Sequence, residues 1–126
     1  GYGRLLVACP ELQKELLKQG LAHVFSMKGP ADAATLSLQH QAQSEGKGMW
    51  AKGVPEGMIT SLHSTDERSD RDTAYNRVVN TQTGHAPTVS HREVYQVCQE
   101  VCQSGSCMIY VPYRMRYGKK RADCLR

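Results

Sequence analysis

The sequence contains no apolar run approaching the roughly 20 residues that a helix needs to cross a bilayer, and its mean hydropathy is −0.52. It also contains no internal repeat and no low-complexity tract. We therefore expect no membrane span. The 126 residues are enough to bury a hydrophobic core within one domain.

A recognisable calcium-binding motif is also missing. Residues 64–72 are densely charged and include Asp66, Asp70 and Asp72. Their spacing lacks the central glycine and the terminal glutamate of the helix–loop–helix calcium motif. We predict that this stretch is a solvated loop.

Basic residues are in modest excess. The chain has 16 Lys and Arg against 12 Asp and Glu, which gives a formal net charge of +4. Such an excess is compatible with a polyanionic partner but does not establish one.

Cysteine is abundant for a chain of this length, and four of the five cysteines lie close to the C-terminus. Clustering of this kind indicates either disulfides in an oxidising compartment or a metal site. The spacings do not resemble the close Cys-x-x-Cys pairs of a zinc site, so we favour two disulfides, with three connectivities open, over four zinc thiolates. Disulfides imply a secreted or periplasmic protein. The cysteines concerned are Cys98, Cys102, Cys107 and Cys124, whereas Cys9 is expected to be a buried free thiol.

The first fifty residues predict alternating strands and helices. Leu5 to Ala8 form an apolar run of strand length, and Pro10 suits the first position of a helix because its missing N–H has no helical partner there. The apolar stretch at residues 21–25 predicts a second short strand, and the spacing of apolar residues in 31–45 predicts a second helix.

The C-terminal residues predict a helix followed by a strand. Ser90 and Glu93 have the spacing of a capping box, which predicts a helix beginning near His91. From Cys107 the apolar residues alternate with period two, as in a strand. That strand would place on one face the side chains of Tyr110, Arg114 and Arg116.

This basic and aromatic face has two interpretations. Aromatic rings interleaved with positive charge stack on bases and hold phosphates, so Arg114 and Arg116 are candidate nucleic-acid-binding residues. Equally, basic side chains on a solvated face protect an edge strand from unwanted pairing. The sequence leaves both open.

Three motifs occur in order near the start of the chain: Tyr2-Gly3-Arg4, the stretch ELLKQGLAHV at residues 15–24, and Gly48-Met49-Trp50. Together they resemble the C-terminal portion of the staphylococcal-nuclease-like (thermonuclease) family. The resemblance implies an OB-type barrel fold, in which Tyr-Gly-Arg opens the last long strand. It covers residues 1–52.

The resemblance also implies residue roles. Arg4 matches the second catalytic arginine of the family, which contacts the scissile phosphate, and Tyr2 matches a tyrosine that hydrogen-bonds a nucleotide phosphate. In the family, the calcium-binding aspartates, the general-base glutamate and the first catalytic arginine all precede the Tyr-Gly-Arg motif. No Asp or Glu of this sequence stands in a matching position, so we expect that the calcium ligands belong to a missing N-terminal half of the domain.

We therefore predict an α+β protein with two modules. Residues 1–52 would form the strand–helix–strand–helix end of a nuclease domain, and residues 53–126 a Cys-rich strand–helix–strand extension packed on it. The implied function is calcium-dependent hydrolysis of DNA or RNA phosphodiesters, in a fragment that is inactive alone. The alternative is a non-catalytic module that binds nucleic acid or protein.

Overall fold

The computed structural model describes residues 3–126, and the helices and strands in them form two compact units. One unit contains residues 3–24 and 31–54, and the other contains Phe25–Pro30 and Pro55–Arg126. Residues 3–126 are therefore α+β, with their two α-helices in the first unit and their five strands in the second.

The first unit is built on two helices. Helix α1 spans Pro10–Lys18, with the proline in the first turn as predicted, and helix α2 spans Ala33–Ser44. Asp32 caps α2, since its carboxylate accepts a 2.9 Å hydrogen bond from the backbone N–H of Thr35. A 3₁₀ turn at Gly48–Trp50 completes the unit.

Buried side chains of this unit come from both helices and from the turn. Leu17, Ala42 and Trp50 are almost completely buried. Gln39 is a buried polar residue, and its Oε1 accepts a 2.7 Å hydrogen bond from the backbone N–H of Val24. The Gln39 amide therefore pairs with a backbone N–H in the connection between α1 and α2, and this hydrogen bond offsets the cost of burying the polar side chain.

The two strands predicted in this unit are wrong. Residues 4–9 have no regular structure, and the Leu5, Leu6 and Val7 side chains are exposed. A strand requires a neighbour for its backbone N–H and C=O groups. Among the described residues no strand pairs with residues 4–9 or with residues 21–25, so the strand–helix–strand–helix order is not observed.

The second unit contains two antiparallel sheets. Strand β1 (Gly57–Ser61) pairs with β2 (Ala74–Asn80), which pairs with β3 (Thr88–His91). Strands β4 (Glu100–Gln103) and β5 (Ser106–Ile109) form a separate hairpin. Neither sheet closes into a barrel within the part of the chain that the structure describes.

The helix predicted from His91 is wrong, and so is the strand–helix–strand order of the extension. Ser90 and His91 lie in β3, opposite Tyr75 and Ala74 of β2. Cys98 has a φ of +68°, which a right-handed helix excludes. Pairing with β2 thus prevails over the local capping signal.

The strand predicted from Cys107 is real but short. It ends at Ile109, before Pro112, which has no N–H to donate to a sheet. Short 3₁₀ turns follow at Tyr113–Met115, Gly118–Lys120 and Asp123–Leu125.

The core of the second unit joins the two sheets. It is an apolar cluster against which Tyr95, Val101 and Met108 pack, and its buried members are Ile59, Leu62, Val78 and Tyr110. The hairpin is therefore part of the body of this unit.

Candidate nucleic-acid interface

Arg4 lies in the exposed segment that precedes α1. Its guanidinium carries a permanent charge and a planar set of donors that match phosphate oxygens. Tyr2, the residue predicted to assist it, lies outside the described residues.

Arg114 and Arg116 belong to the second unit, in a run of residues 113–121 that we call the basic segment. The run carries five cations and no acidic residue. All of these cationic residues are exposed: Arg114, Arg116, Lys119, Lys120 and Arg121.

The basic segment is held at both ends by buried residues. Val111 precedes it and is 5% exposed, and Ala122 follows it and is 3% exposed. The backbone N–H of Ala122 donates a 2.9 Å hydrogen bond to the Met115 carbonyl, and Arg116 Nε donates one of 2.8 Å to the Val111 carbonyl. The segment is thus an anchored surface loop.

Most of the charge in the basic segment is not neutralised locally. Elsewhere the chain pairs exposed charges, as between Arg68 and Asp70 at 2.8 Å. Among residues 3–126 no ion pair involves Arg114, Lys119 or Lys120. These cations are available to an anionic ligand.

The aromatic residues of this surface differ from the prediction. Tyr110 is 3% exposed and packs in the core, so it does not share a face with Arg114 and Arg116. Tyr113 and Tyr117 are instead 75% and 68% exposed, with their ring centroids 6.0 Å apart in an edge-to-face arrangement.

The four C-terminal cysteines form two disulfides. Cys98 pairs with Cys124, and Cys102 pairs with Cys107 across the β4–β5 hairpin. No thiolate of these residues therefore remains for zinc. The first bond ties the end of the chain beyond the basic segment to the body of the unit. Cys9 is free and exposed, so the expectation that it is buried is wrong.

The described residues do not fit a calcium site. The one group of three potential ligands among them is Glu100 with Cys102 and Cys107, and the two sulfurs are bonded to each other. The acidic side chains of residues 3–52 each interact with a neighbour close in sequence, through the pairs Glu11–Lys14, Glu15–Gln19, Asp32–Thr35 and Glu45–Lys47.

A polar cluster that the sequence did not predict lies beside the basic segment. Glu67 Oε1 accepts hydrogen bonds from the Tyr110 hydroxyl at 2.6 Å and from the backbone N–H of Ser64 at 3.2 Å. Ser64 and Glu67 form a capping box on a 3₁₀ turn, and this Ser-x-x-Glu spacing was the available sequence signal. A cavity lined by Glu67 and Tyr110 is also lined by Tyr113 and Arg114.

Burial and hydrogen bonding in this cluster set the pKa values of Tyr110 and Glu67. Burial and the nearby Glu67 carboxylate raise the pKa of Tyr110 well above its usual value. Partial burial alone would raise the pKa of Glu67, but hydrogen bonds from Tyr110, Ser64 and His63 outweigh it and hold that pKa below its usual value. At neutral pH a phenol therefore faces a carboxylate.

Comparison with known proteins supports the resemblance of the N-terminal residues. Residues 2–52 match the family model described as staphylococcal nuclease homologue. No curated protein matches the chain, and no solved structure does. None of the helices in residues 3–126 has the length and apolar character of a membrane span.

Proposed function

Taking the match of residues 2–52 to the staphylococcal nuclease homologues as the premise, we propose that this chain is part of a nuclease that acts on nucleic-acid phosphodiesters. Arg4 contacts the scissile phosphate, and Tyr2 assists by hydrogen-bonding a phosphate oxygen. The observation that carries the proposal is that both residues lie within the matched stretch, with Arg4 exposed ahead of α1.

The chemistry of arginine suits this role. Phosphodiester cleavage concentrates negative charge on the non-bridging oxygens of the phosphate in the transition state. A guanidinium donates two parallel hydrogen bonds to such oxygens and stays charged at every relevant pH. Arg4 therefore orients the phosphate and stabilises its developing charge.

The resemblance to the nuclease family implies that calcium ligands and a general base complete the catalytic machinery, and that both precede the Tyr-Gly-Arg motif. Metal-assisted hydrolysis needs an ion close to the phosphate and a carboxylate that takes a proton from water. The one group of three potential metal ligands found among residues 3–126 is Glu100 with Cys102 and Cys107, and it holds a single carboxylate. We infer that the chain by itself binds nucleic acid without cleaving it, and that these groups come from other residues of a complete domain, such as an N-terminal half.

The test is a cleavage and binding assay on single-stranded DNA and RNA, with calcium and with a chelator. We expect no cleavage in either condition. We expect Arg4→Ala to weaken binding several-fold, and the control Lys18→Ala, which removes an exposed cation from α1, to have a smaller effect. Calcium-dependent cleavage that Arg4→Ala abolishes would overturn the claim that the chain is inactive alone. Equal effects of the two variants would contradict the role of Arg4.

A second candidate function rests on the basic segment. Arg114 and Arg116 lie in a surface loop rich in cations, which supports a non-catalytic module that binds nucleic acid, or an acidic protein, through charge. Such binding weakens steeply with salt and does not need calcium. The two disulfides support a secreted or periplasmic location, where they would remain oxidised.

A further inference from the structure

The basic segment exposes two aromatic rings where the rest of the unit buries its tyrosines or covers them in part. Tyr113 and Tyr117 are 75% and 68% exposed, against 37% for Tyr75 and 3% for Tyr110. We propose that the basic segment binds single-stranded nucleic acid, with bases stacked on Tyr113 and Tyr117. This inference rests on the second function proposed above and specifies the form of its ligand.

The geometry of the pair leaves ring surface free for bases. The two rings are inclined by 68° with centroids 6.0 Å apart, so the edge of one ring meets the face of the other. In such a contact at least one face of each ring stays uncovered by its partner. Each tyrosine therefore offers its own platform.

Cations flank both platforms along the chain. Arg114 follows Tyr113 directly, and Lys119 and Lys120 follow Tyr117 after one glycine. In a single strand, each base that stacks on a ring brings its phosphate within reach of a neighbouring side chain. Alternating rings and cations are the combination used by proteins that bind single strands without sequence preference.

Exposed rings discriminate between nucleic-acid forms, whereas cations alone do not. Lysine and arginine attract the phosphates of single strands and duplexes alike. Bases in a duplex have their faces covered by neighbouring base pairs, so they are not available to Tyr113 and Tyr117. The tyrosines therefore predict a preference for single strands that the charge would not produce.

The segment is also constrained before it binds. The hydrogen bonds of Ala122 and Arg116 fix its backbone, and the Cys98–Cys124 bond holds the residues after it. Because less conformational freedom is lost on binding, a constrained loop binds more tightly than a mobile one with the same side chains.

The experiment measures the affinity of the oxidised chain for a labelled oligothymidylate of about 16 nucleotides, a length within the site sizes of single-strand binders. The same strand paired with oligoadenylate is the duplex probe. We expect tighter binding of the single strand, and a loss of about tenfold on Tyr113→Ala or Tyr117→Ala. Tyr113→Phe and Tyr117→Phe keep the ring and retain the affinity, and Tyr75→Ala is the control. Duplex binding changes little in any of these variants.

Two other results have distinct meanings. If the chain binds both probes equally and the alanine variants change neither affinity, the stacking inference is wrong while phosphate binding by the basic segment stands. The double variant Arg114→Ala with Lys119→Ala removes two cations from the basic segment, and the control double variant Lys28→Ala with Arg92→Ala removes two cations elsewhere. If both double variants have the same affinities for the two probes, the basic segment is not the binding site. The stacking inference is then wrong as well. Circular dichroism melting curves of every variant identify any loss of fold.

Discussion

The Tyr110 hydroxyl donates a 2.6 Å hydrogen bond to Glu67 Oε1 and thereby joins the end of the β4–β5 hairpin to the capped turn between β1 and β2. The two residues are 43 positions apart in the sequence. Because Tyr110 also belongs to the apolar core, this bond links a polar cluster to the packing of the whole unit.

Stability should fall at both extremes of pH because of this pair. The pKa of Tyr110 is raised in the folded state, so its contribution to the free energy of unfolding is complete below pH of about 10 and is lost as the pH rises toward the folded value. The pKa of Glu67 is lowered, so its contribution is complete above pH of about 4.5 and is lost as the pH falls through the folded value. Urea denaturation across this pH range measures both effects.

Tyr110→Phe is the matched variant, since it removes the hydroxyl and keeps the ring. We expect it to lower the free energy of unfolding by about 1.5 kcal/mol or more at neutral pH, because hydrogen bonds to charged groups contribute about 1.5–3 kcal/mol. It should also flatten the alkaline decline. Tyr113→Phe, at an exposed tyrosine, should leave stability and its pH dependence unchanged. An alkaline decline of undiminished size in Tyr110→Phe would show that another group causes it.

The two disulfides should stabilise the chain to different extents. Cys98 and Cys124 are 26 residues apart, whereas Cys102 and Cys107 are 5 apart. Restriction of the unfolded chain predicts about 3.5 kcal/mol for the longer loop and about 2 kcal/mol for the shorter one. Paired Cys→Ser substitutions, compared by urea denaturation, test this order. A larger loss from the hairpin pair would indicate that native-state contacts, and not loop length, dominate.

Loss of the Cys98–Cys124 bond should also weaken binding by the basic segment. Cys124 follows that segment closely, so its release lets residues after Ala122 move and makes the loop more costly to order. We expect Cys98→Ser with Cys124→Ser to lower the affinity for oligothymidylate several-fold, and the hairpin pair of substitutions to lower it less. Equal affinities in the two double variants would show that the hydrogen bonds of Ala122 and Arg116 suffice to hold the loop.

The sequence could predict those elements whose formation depends on residues close together in the chain. Helix α1 follows from Pro10 and the leucine spacing, and α2 from a run of good helix formers. Both signals act within a few residues. The strands behave differently, because a strand forms only where a partner pairs with it. Ser90 and His91 carry a helix signal but pair with β2, and residues 5–8 carry a strand signal without a described partner.

The candidate site was predictable in its charges and not in its aromatic residues. Arg114 and Arg116 are exposed, as basic side chains usually are. The period-two pattern placed Tyr110 beside them because it assumed a strand continuing past Pro112. Since the strand ends at Ile109, Tyr110 turns into the core and the exposed rings are those of Tyr113 and Tyr117.

The close approach of the backbone at Gly20 and Gly48 should be essential for the stability of the first unit. Both have positive φ, of +65° and +54°, and a Cβ on either would collide with backbone atoms of the facing segment, including the Lys47 carbonyl for Gly20 and the Gly20 carbonyl for Gly48. The backbone N–H of Met49 donates a 2.9 Å hydrogen bond to that same Gly20 carbonyl, so neither segment can move aside without breaking it.

We therefore expect Gly20→Ala and Gly48→Ala each to destabilise the first unit by more than the roughly 1–2 kcal/mol of a left-handed alanine alone. Gly46→Ala is the matched control, because its φ of +63° is also in the left-handed region while the nearest atom to an added Cβ, the Trp50 carbonyl oxygen, is 4.0 Å away. Trp50 is the one tryptophan of the sequence and is 2% exposed, so its fluorescence during urea denaturation follows this unit. If all three variants lost the same stability, backbone conformation alone would account for the effect and the close approach would contribute nothing.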